Sequence, residues 1–334
     1  MLTALGDRAK RWTETGAPWT NVYGVARSLM ALASALTLAF NQSSTLWRPI
    51  AGVVSRAPFC TTNVLQKGAL YCLLPTHLDL SRWIAVALLL VVASGYRPQL
   101  TGIVHWWVAA SYQLTASTLE GGDQAAAVLT LLLIPVTLTD PRRWHWQSLP
   151  TTDQPPTLAR SLRTLVALSA LVATRVQVCG IYFHAAFGKM QGTEWADGTA
   201  MYYWLQHPTF GATSFWAPVL RPLLSSAPLL AGTTWGTIIV ELFLFMGLIA
   251  TRPARKALLL LGLLLHVGVL VFMGLFTFSL MMFAALLLYL WPTDEPLRIP
   301  RALHLGRLFH RSRVRSLRPW RRQPSEGREI EEPA

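Results

Sequence analysis

Lys189 closes an apolar run and is followed by Glu194, Trp195 and Asp197, within the stretch YFHAAFGKMQGTEWADGTAMYYWLQHPTFG at 182–211. The run before it, Leu162 to Gly188, is mostly Leu, Val, Ala and Phe. At 1.5 Å per residue such a run spans a bilayer with some tilt. A charge at that depth is costly, so it faces the protein interior, finds a partner or snorkels to the surface. An anchoring lysine in an aromatic belt is the plain reading. Against it, the chain carries four lysines (Lys10, Lys67, Lys189 and Lys256) beside 25 arginines, so arginine is its ordinary cation. A desolvated lysine can lose its proton whereas arginine effectively cannot. The residue type therefore suits a base or a hydrogen-bond donor to a bound ligand, with Tyr182, Phe183, Trp195 and Tyr202 expected to line its pocket.

The elements that must hold this lysine are membrane helices. Apolar residues make up 52% of the 334, charged residues 13%, and mean hydropathy is +0.38. A soluble chain carries about a quarter charged residues. Hydropathy predicts an all-α polytopic integral membrane bundle of about eight spans, near 22–40, 82–96, 100–118, 125–139, 162–188, 232–250, 256–273 and 276–291. The N-terminus MLTALGDRAKRW has no apolar run, so the first span is expected to act as an uncleaved signal anchor.

Basic residues set the orientation. Arg8, Lys10, Arg11, Arg97, Arg142, Arg143, Arg160, Arg252, Arg255 and Lys256 fall on one side of an eight-span chain, as do ten arginines after residue 292. That side is read as the cytoplasm, with both termini in it. The domain plan is a cytoplasmic segment 1–20, a membrane domain 21–292 with outer loops about 41–81 and 189–231, and a basic tail 293–334, partly disordered. Most of the net charge of +13 is thereby a cytoplasmic asymmetry facing anionic lipid. Membrane lipid is the expected partner of that tail, and nucleic acid is not. Cys60 and Cys72 share the first outer loop and could close a disulfide in an oxidising compartment. Cys179 lies within the fifth span as a small packing residue. No Cys or His spacing suggests a metal site and no glycine-rich turn suggests a nucleotide.

Arg27, His105, Arg175, His184, Glu241 and His266 all fall inside predicted spans. Arg175, Tyr182 and Lys189 are spaced by seven, close to one stripe of the fifth helix. An unpaired Glu241 in IIVELFLF would be expensive. The expected arrangement is a buried cluster in which Glu241 pairs with Arg175 or Arg27, and His266 or His184 completes the hydrogen bonding. Such a network can be structural or can handle protons.

These residues carry a resemblance. The stretch Tyr182 to Met201 is similar to the vitamin K-dependent gamma-carboxylases and the wider HTTM membrane-domain family: an aromatic pair, small residues, a lysine, then Glu194, Trp195, Asp197, Gly198 and Met201. The resemblance implies that Lys189 deprotonates a vitamin K-like hydroquinone, whose oxygenation then gives a strong base. It also places Asp123, in the run Gly122, Asp123, Gln124, Ala125, where the carboxylases have a functionally important histidine. The chain resembles more closely the sporulation-delaying protein B (SdpB) family, through GYRPQLTGIVHWWVAAS at 95–111, LEGGDQAAAVLTLLLIPVTLTD at 119–140, the 182–211 stretch, Cys60 with Cys72, and HVGVLVFMGLFTFSLMM at 266–282. That family acts with an SdpA partner in maturing a secreted peptide toxin from a larger precursor.

The resemblances and the spacing together nominate Lys189, Glu241, His266, His184 and Asp123 for chemistry, and Arg175, Tyr182, Trp195, Asp197 and Tyr202 for ligand binding. Three functions follow: an SdpB-like maturation factor with a quinone or lipid-like ligand near Lys189; a quinone-dependent carboxylase-like enzyme acting on a peptide or small molecule; or a non-catalytic scaffold, immunity or export subunit. Neither repeated halves nor paired broken helices point to a transporter.

Overall fold

A computed structural model describes residues 18–49, 58–60, 63–149 and 156–297. The basic tail beyond Leu297, and the N-terminal segment before residue 18, lie outside the described residues, and so does the expectation of partial disorder. Among the described residues the structure is helical, with no strand; an isolated bridge joins Tyr96 to Trp144.

Eight long helices form the bundle: α1 Asn21–Phe40, α2 Leu78–Ser94, α3 Pro98–Thr115, α4 Gly121–Thr139, α5 Leu158–Met190, α6 Ala227–Met246, α7 Arg252–Met273 and α8 Phe276–Leu290. Each hydropathy segment corresponds to one of them. Five, α1 and α4 to α7, are long and apolar enough to cross a membrane. α2 and α8 have 17 and 15 residues, and α3 carries Gln99, Thr101, His105, Ser111 and Gln113 along its length.

Local chemistry sets the ends. Glu120 and Asp123 form a reciprocal capping box at the start of α4, satisfying amides that have no partner inside the helix. Between α2 and α3 the chain turns through Gly95 at φ 84° and Arg97 at φ 37°, then enters α3 on Pro98. A non-glycine residue at positive φ needs support. The segment after α4 supplies it: Arg97 donates its amide to the Arg143 carbonyl at 2.7 Å, and His145 donates its amide to the Gly95 carbonyl at 3.0 Å. A Cβ at Gly95 would overlap the His145 ring, so glycine is required there twice over.

The core is built on close helix approach. α1 packs along α8 with Ala26, Ala284 and Ala285 fully buried, small residues that let two helices touch, and Met30 fully buried in the same cluster. Leu129, Leu133, Val136, Ala167 and Leu171 join α4 to α5 in the same cluster. A second cluster joins α1, α2 and α3 and includes the packed rings of Trp47, Tyr71 and Tyr112. Cys60 and Cys72 are bonded, with their Cα atoms 5.5 Å apart.

Candidate functional site

Lys189 sits in the last turn of α5, yet its side chain does not run on towards the helix end. Nζ turns back along the helix to the Ala185 carbonyl at 3.3 Å and meets Glu241 on α6, 2.7 Å from Oε1 and 2.9 Å from Oε2. A snorkelling anchor would extend the other way, into the loop after Met190. The Glu241 side chain is 9% exposed and that of Lys189 23%, so the carboxylate is sealed in and the amine keeps one open side. Trp195 covers part of that side, its ring centre 5.3 Å from Nζ, close enough for a cation–π contact.

The expected partners of Glu241 are corrected by this pairing. Arg175 instead donates to the Leu288 and Trp291 carbonyls at the end of α8. Arg27 donates to Thr101 Oγ1 at 2.6 Å and lies 3.4 Å from His145 Nδ1. His266 bonds Tyr182 Oη at 3.0 Å. His184 is exposed on the outside of α5, beside Phe183, and joins none of this. The heptad stripe on α5 thus exists, but its three members reach three different helices: Arg175 reaches α8, Tyr182 reaches α7 and Lys189 reaches α6. Sequence spacing gave their common face, while the crossing of α5 over its neighbours decided each partner.

The aromatic lining expected around Lys189 is also corrected. Trp195 alone of the four rings makes a contact with the amine. Tyr182 is spent on His266, Phe183 stacks on Phe187 and Phe245, and Tyr202 is exposed against Tyr203. Asp197 Oδ1 accepts from the amide and hydroxyl of Thr199, turning its carboxylate away from the amine. Asp123 belongs to the α4 cap and borders a small cavity with Ser34, Val108 and Tyr112 rather than the Lys189 pair.

Thr234, Trp235 and Ala231, which no sequence motif singles out, hold the site in place. Trp235 donates its indole N–H to the Trp195 carbonyl at 3.1 Å, and Thr234 Oγ1 accepts from the Met201 amide at 3.3 Å. Gly198, at φ 82°, lies flat against Ala231. These contacts dock the short helices Thr193–Ala196 and Ala200–Leu205 along the first half of α6. An indole N–H seeking a carbonyl is a general tendency, but nothing in the sequence marks which carbonyl. Against α1, His145 is fully buried between Arg27 and Ser28, whose Oγ is 3.3 Å from its Nε2. Burial first, then Arg27 and Arg142, push its imidazole well below the usual range and keep it neutral.

The arrangement is an apolar helical bundle in which a buried acid is matched by one lysine on a neighbouring helix. It can donate to and accept from the same ligand oxygen, and it can hold a proton away from bulk water. No group of His, Cys, Asp and Glu suited to a metal occurs among the described residues.

Fold and site define a helical membrane protein with a buried acid–base pair. Over 301 residues, covering 89% of this chain and 94% of the other, it is 39% identical to the Uncharacterized protein YitO of Bacillus subtilis (strain 168). Over 287 residues, 85% of each chain, it is 33% identical to the Sporulation-delaying protein SdpB of the same organism. The chain belongs to the SdpB family. No family model and no solved structure matches it.

Proposed function

We propose that this protein is an SdpB-type membrane factor needed to produce a secreted antimicrobial peptide, and that the Lys189–Glu241 pair is its chemical centre. The family membership supports the first half. The observation that carries the second is the direction of the lysine side chain, turned inward onto a sealed carboxylate. On this reading all eight helices cross the membrane, both termini face the cytoplasm, and an SdpA-like protein and a peptide precursor are the partners.

The pair has a defined chemical capacity. A ligand hydroxyl that reaches it gives its proton to the Glu241 carboxylate, and the electron pair stays on the ligand oxygen. The Lys189 ammonium steadies the oxyanion so formed, as fixed cations do in water-poor sites. The lysine is then the electrostatic partner and the glutamate the proton acceptor, an inversion of the role that residue type alone suggested for Lys189. A vitamin K-like quinone, in its hydroquinone form, is one ligand with such a hydroxyl; it and the carboxylase-like second reading rest on the 182–201 resemblance.

Mass spectrometry of the secreted peptide tests the proposal. Glu241→Gln keeps the size and hydrogen-bonding reach of the side chain but cannot take up a proton. It is expected to fold, insert and yield no mature peptide. Wild-type amounts of mature peptide from Glu241→Gln cells would reduce the pair to a structural clamp and leave the scaffold function.

A further inference from the structure

Beside the Lys189–Glu241 pair lies a groove of about 280 Å³, bounded by Met190, Trp195, Ala196, Trp235, Ile238, Ile239 and Leu242. All of its lining side chains are apolar apart from the indole N–H groups, and that of Trp235 is already used by the Trp195 carbonyl. Trp195 is a wall of the groove and also the ring covering Lys189. Leu242 and Ile238 flank Glu241 on α6, so the groove and the pair share that helix as well as Trp195.

Its outer rim belongs to the apolar belt of the bundle. Met190, Trp235 and Ile239 are between 44% and 50% exposed, like Phe243 and Met246 further along α6. In an α6 that crosses the bilayer, this face looks into lipid, so the groove opens sideways into the hydrocarbon. Non-helical backbone at such depth is tolerated where protein covers it. Here the Thr193–Leu205 segment, docked on α6, provides both the cover and one wall.

Two properties limit the occupant. A slot lined only by apolar groups favours an apolar filler, and its volume is that of about ten methylene-sized units, taking about 30 Å³ for a unit of water size. That is the volume of one hydrocarbon chain, too small for a packed peptide helix about 10 Å across. Where the groove meets Trp195 the filler comes beside the Lys189 ammonium, whose side chain is 23% exposed, and that suits a hydroxyl-bearing or anionic head.

We propose that the groove is a lateral entry site for a membrane-borne amphiphile, holding a single hydrocarbon chain along Trp195 and α6 and delivering its polar head to Lys189 and Glu241. This rests on the reading of the pair as the chemical centre and names the class of ligand that serves it. The chain is acyl or polyprenyl, and the two sources separate by experiment.

The test uses the full-length protein in phospholipid vesicles doped with either a diazirine-tagged acyl lipid or a diazirine-tagged polyprenyl alcohol. After photolysis, labelled residues are mapped by mass spectrometry. Label concentrated on Met190, Ala196, Ile239 and Leu242, above that on the α7 belt residues Leu260 and Leu264, supports the site, and the probe that gives it names the chain type. Ala196→Phe fills the groove from an exposed position on the short helix, so the protein should fold and its groove label should fall to the belt level. Equal label on groove and belt, or groove label indifferent to Ala196→Phe in a folded protein, overturns the proposal. The underlying reading fails separately: groove labelling that persists while Glu241→Gln cells make normal peptide keeps the site and discards the chemistry.

Discussion

Removing one member of the Lys189–Glu241 pair should cost about as much as removing both. In Glu241→Ala the ammonium loses two oxygens at 2.7 and 2.9 Å and retains only the Ala185 carbonyl. Breaking a buried ion pair typically costs about 3–5 kcal/mol. Because the Lys189 side chain is 23% exposed and can draw some solvation, the lower end, about 3 kcal/mol, is expected. That is roughly a 150-fold fall in the folded-to-unfolded ratio, at 1.36 kcal/mol per tenfold. Lys189→Met, which strands the carboxylate, should cost at least as much. The combined Lys189→Met, Glu241→Leu protein leaves no orphaned charge. It should cost about as much as either single change, a coupling of about 3 kcal/mol between the two positions. Reversible unfolding in lipid bicelles, followed for all four proteins, gives the cycle. Glu241→Gln belongs beside it and should lie between wild type and Glu241→Ala, since the amide still accepts from Nζ. Additive losses in the double variant would show that the two side chains do not hold each other, and the inward-turned lysine would need another cause.

Other expectations follow from the same geometry. Lys189→Arg keeps the cation and should retain more mature peptide than Lys189→Met; a folded Lys189→Arg protein that yields none would return the base role to the amine itself. Cys60 and Cys72 should resist an impermeant thiol reagent applied outside the cell until a reductant is added, and labelling only from the cytoplasmic face would reverse the topology. His145 is held neutral in the fold, its imidazole pushed down by burial and then by Arg27 and Arg142. A lowered histidine contributes stability that is present above the unfolded-state value of about 6.5 and is lost as pH falls below it. Unfolding measured from pH 8 down to 5 should therefore show a decline beginning near pH 6.5, of at most about 1.4 kcal/mol per pH unit from this group. His145→Asn should flatten part of that decline, and an unchanged slope would refute the assignment.

The sequence by itself determined the helical membrane class, the eight segments and the residues worth watching. Apolar runs of span length, bounded by arginine or by punctuation such as Gly95–Pro98 and Gly274, leave the backbone little choice, because in lipid each helix must satisfy its own amides. The heptad spacing of Arg175, Tyr182 and Lys189 likewise fixed their shared face, since helical periodicity is a property of one chain segment. Partner identity was not legible. Glu241 could be matched to any cation at bundle depth, and depth counted along one helix does not carry over to another that crosses it at an angle. Only the tertiary structure, setting the last turn of α5 against the second half of α6, chose Lys189 over Arg175 and Arg27. It also placed His145, in a stretch that reads as an ordinary cytoplasmic loop, beside Arg27. The groove beside Trp195 depends on two tryptophans 40 residues apart, and no periodicity within either segment encodes that meeting.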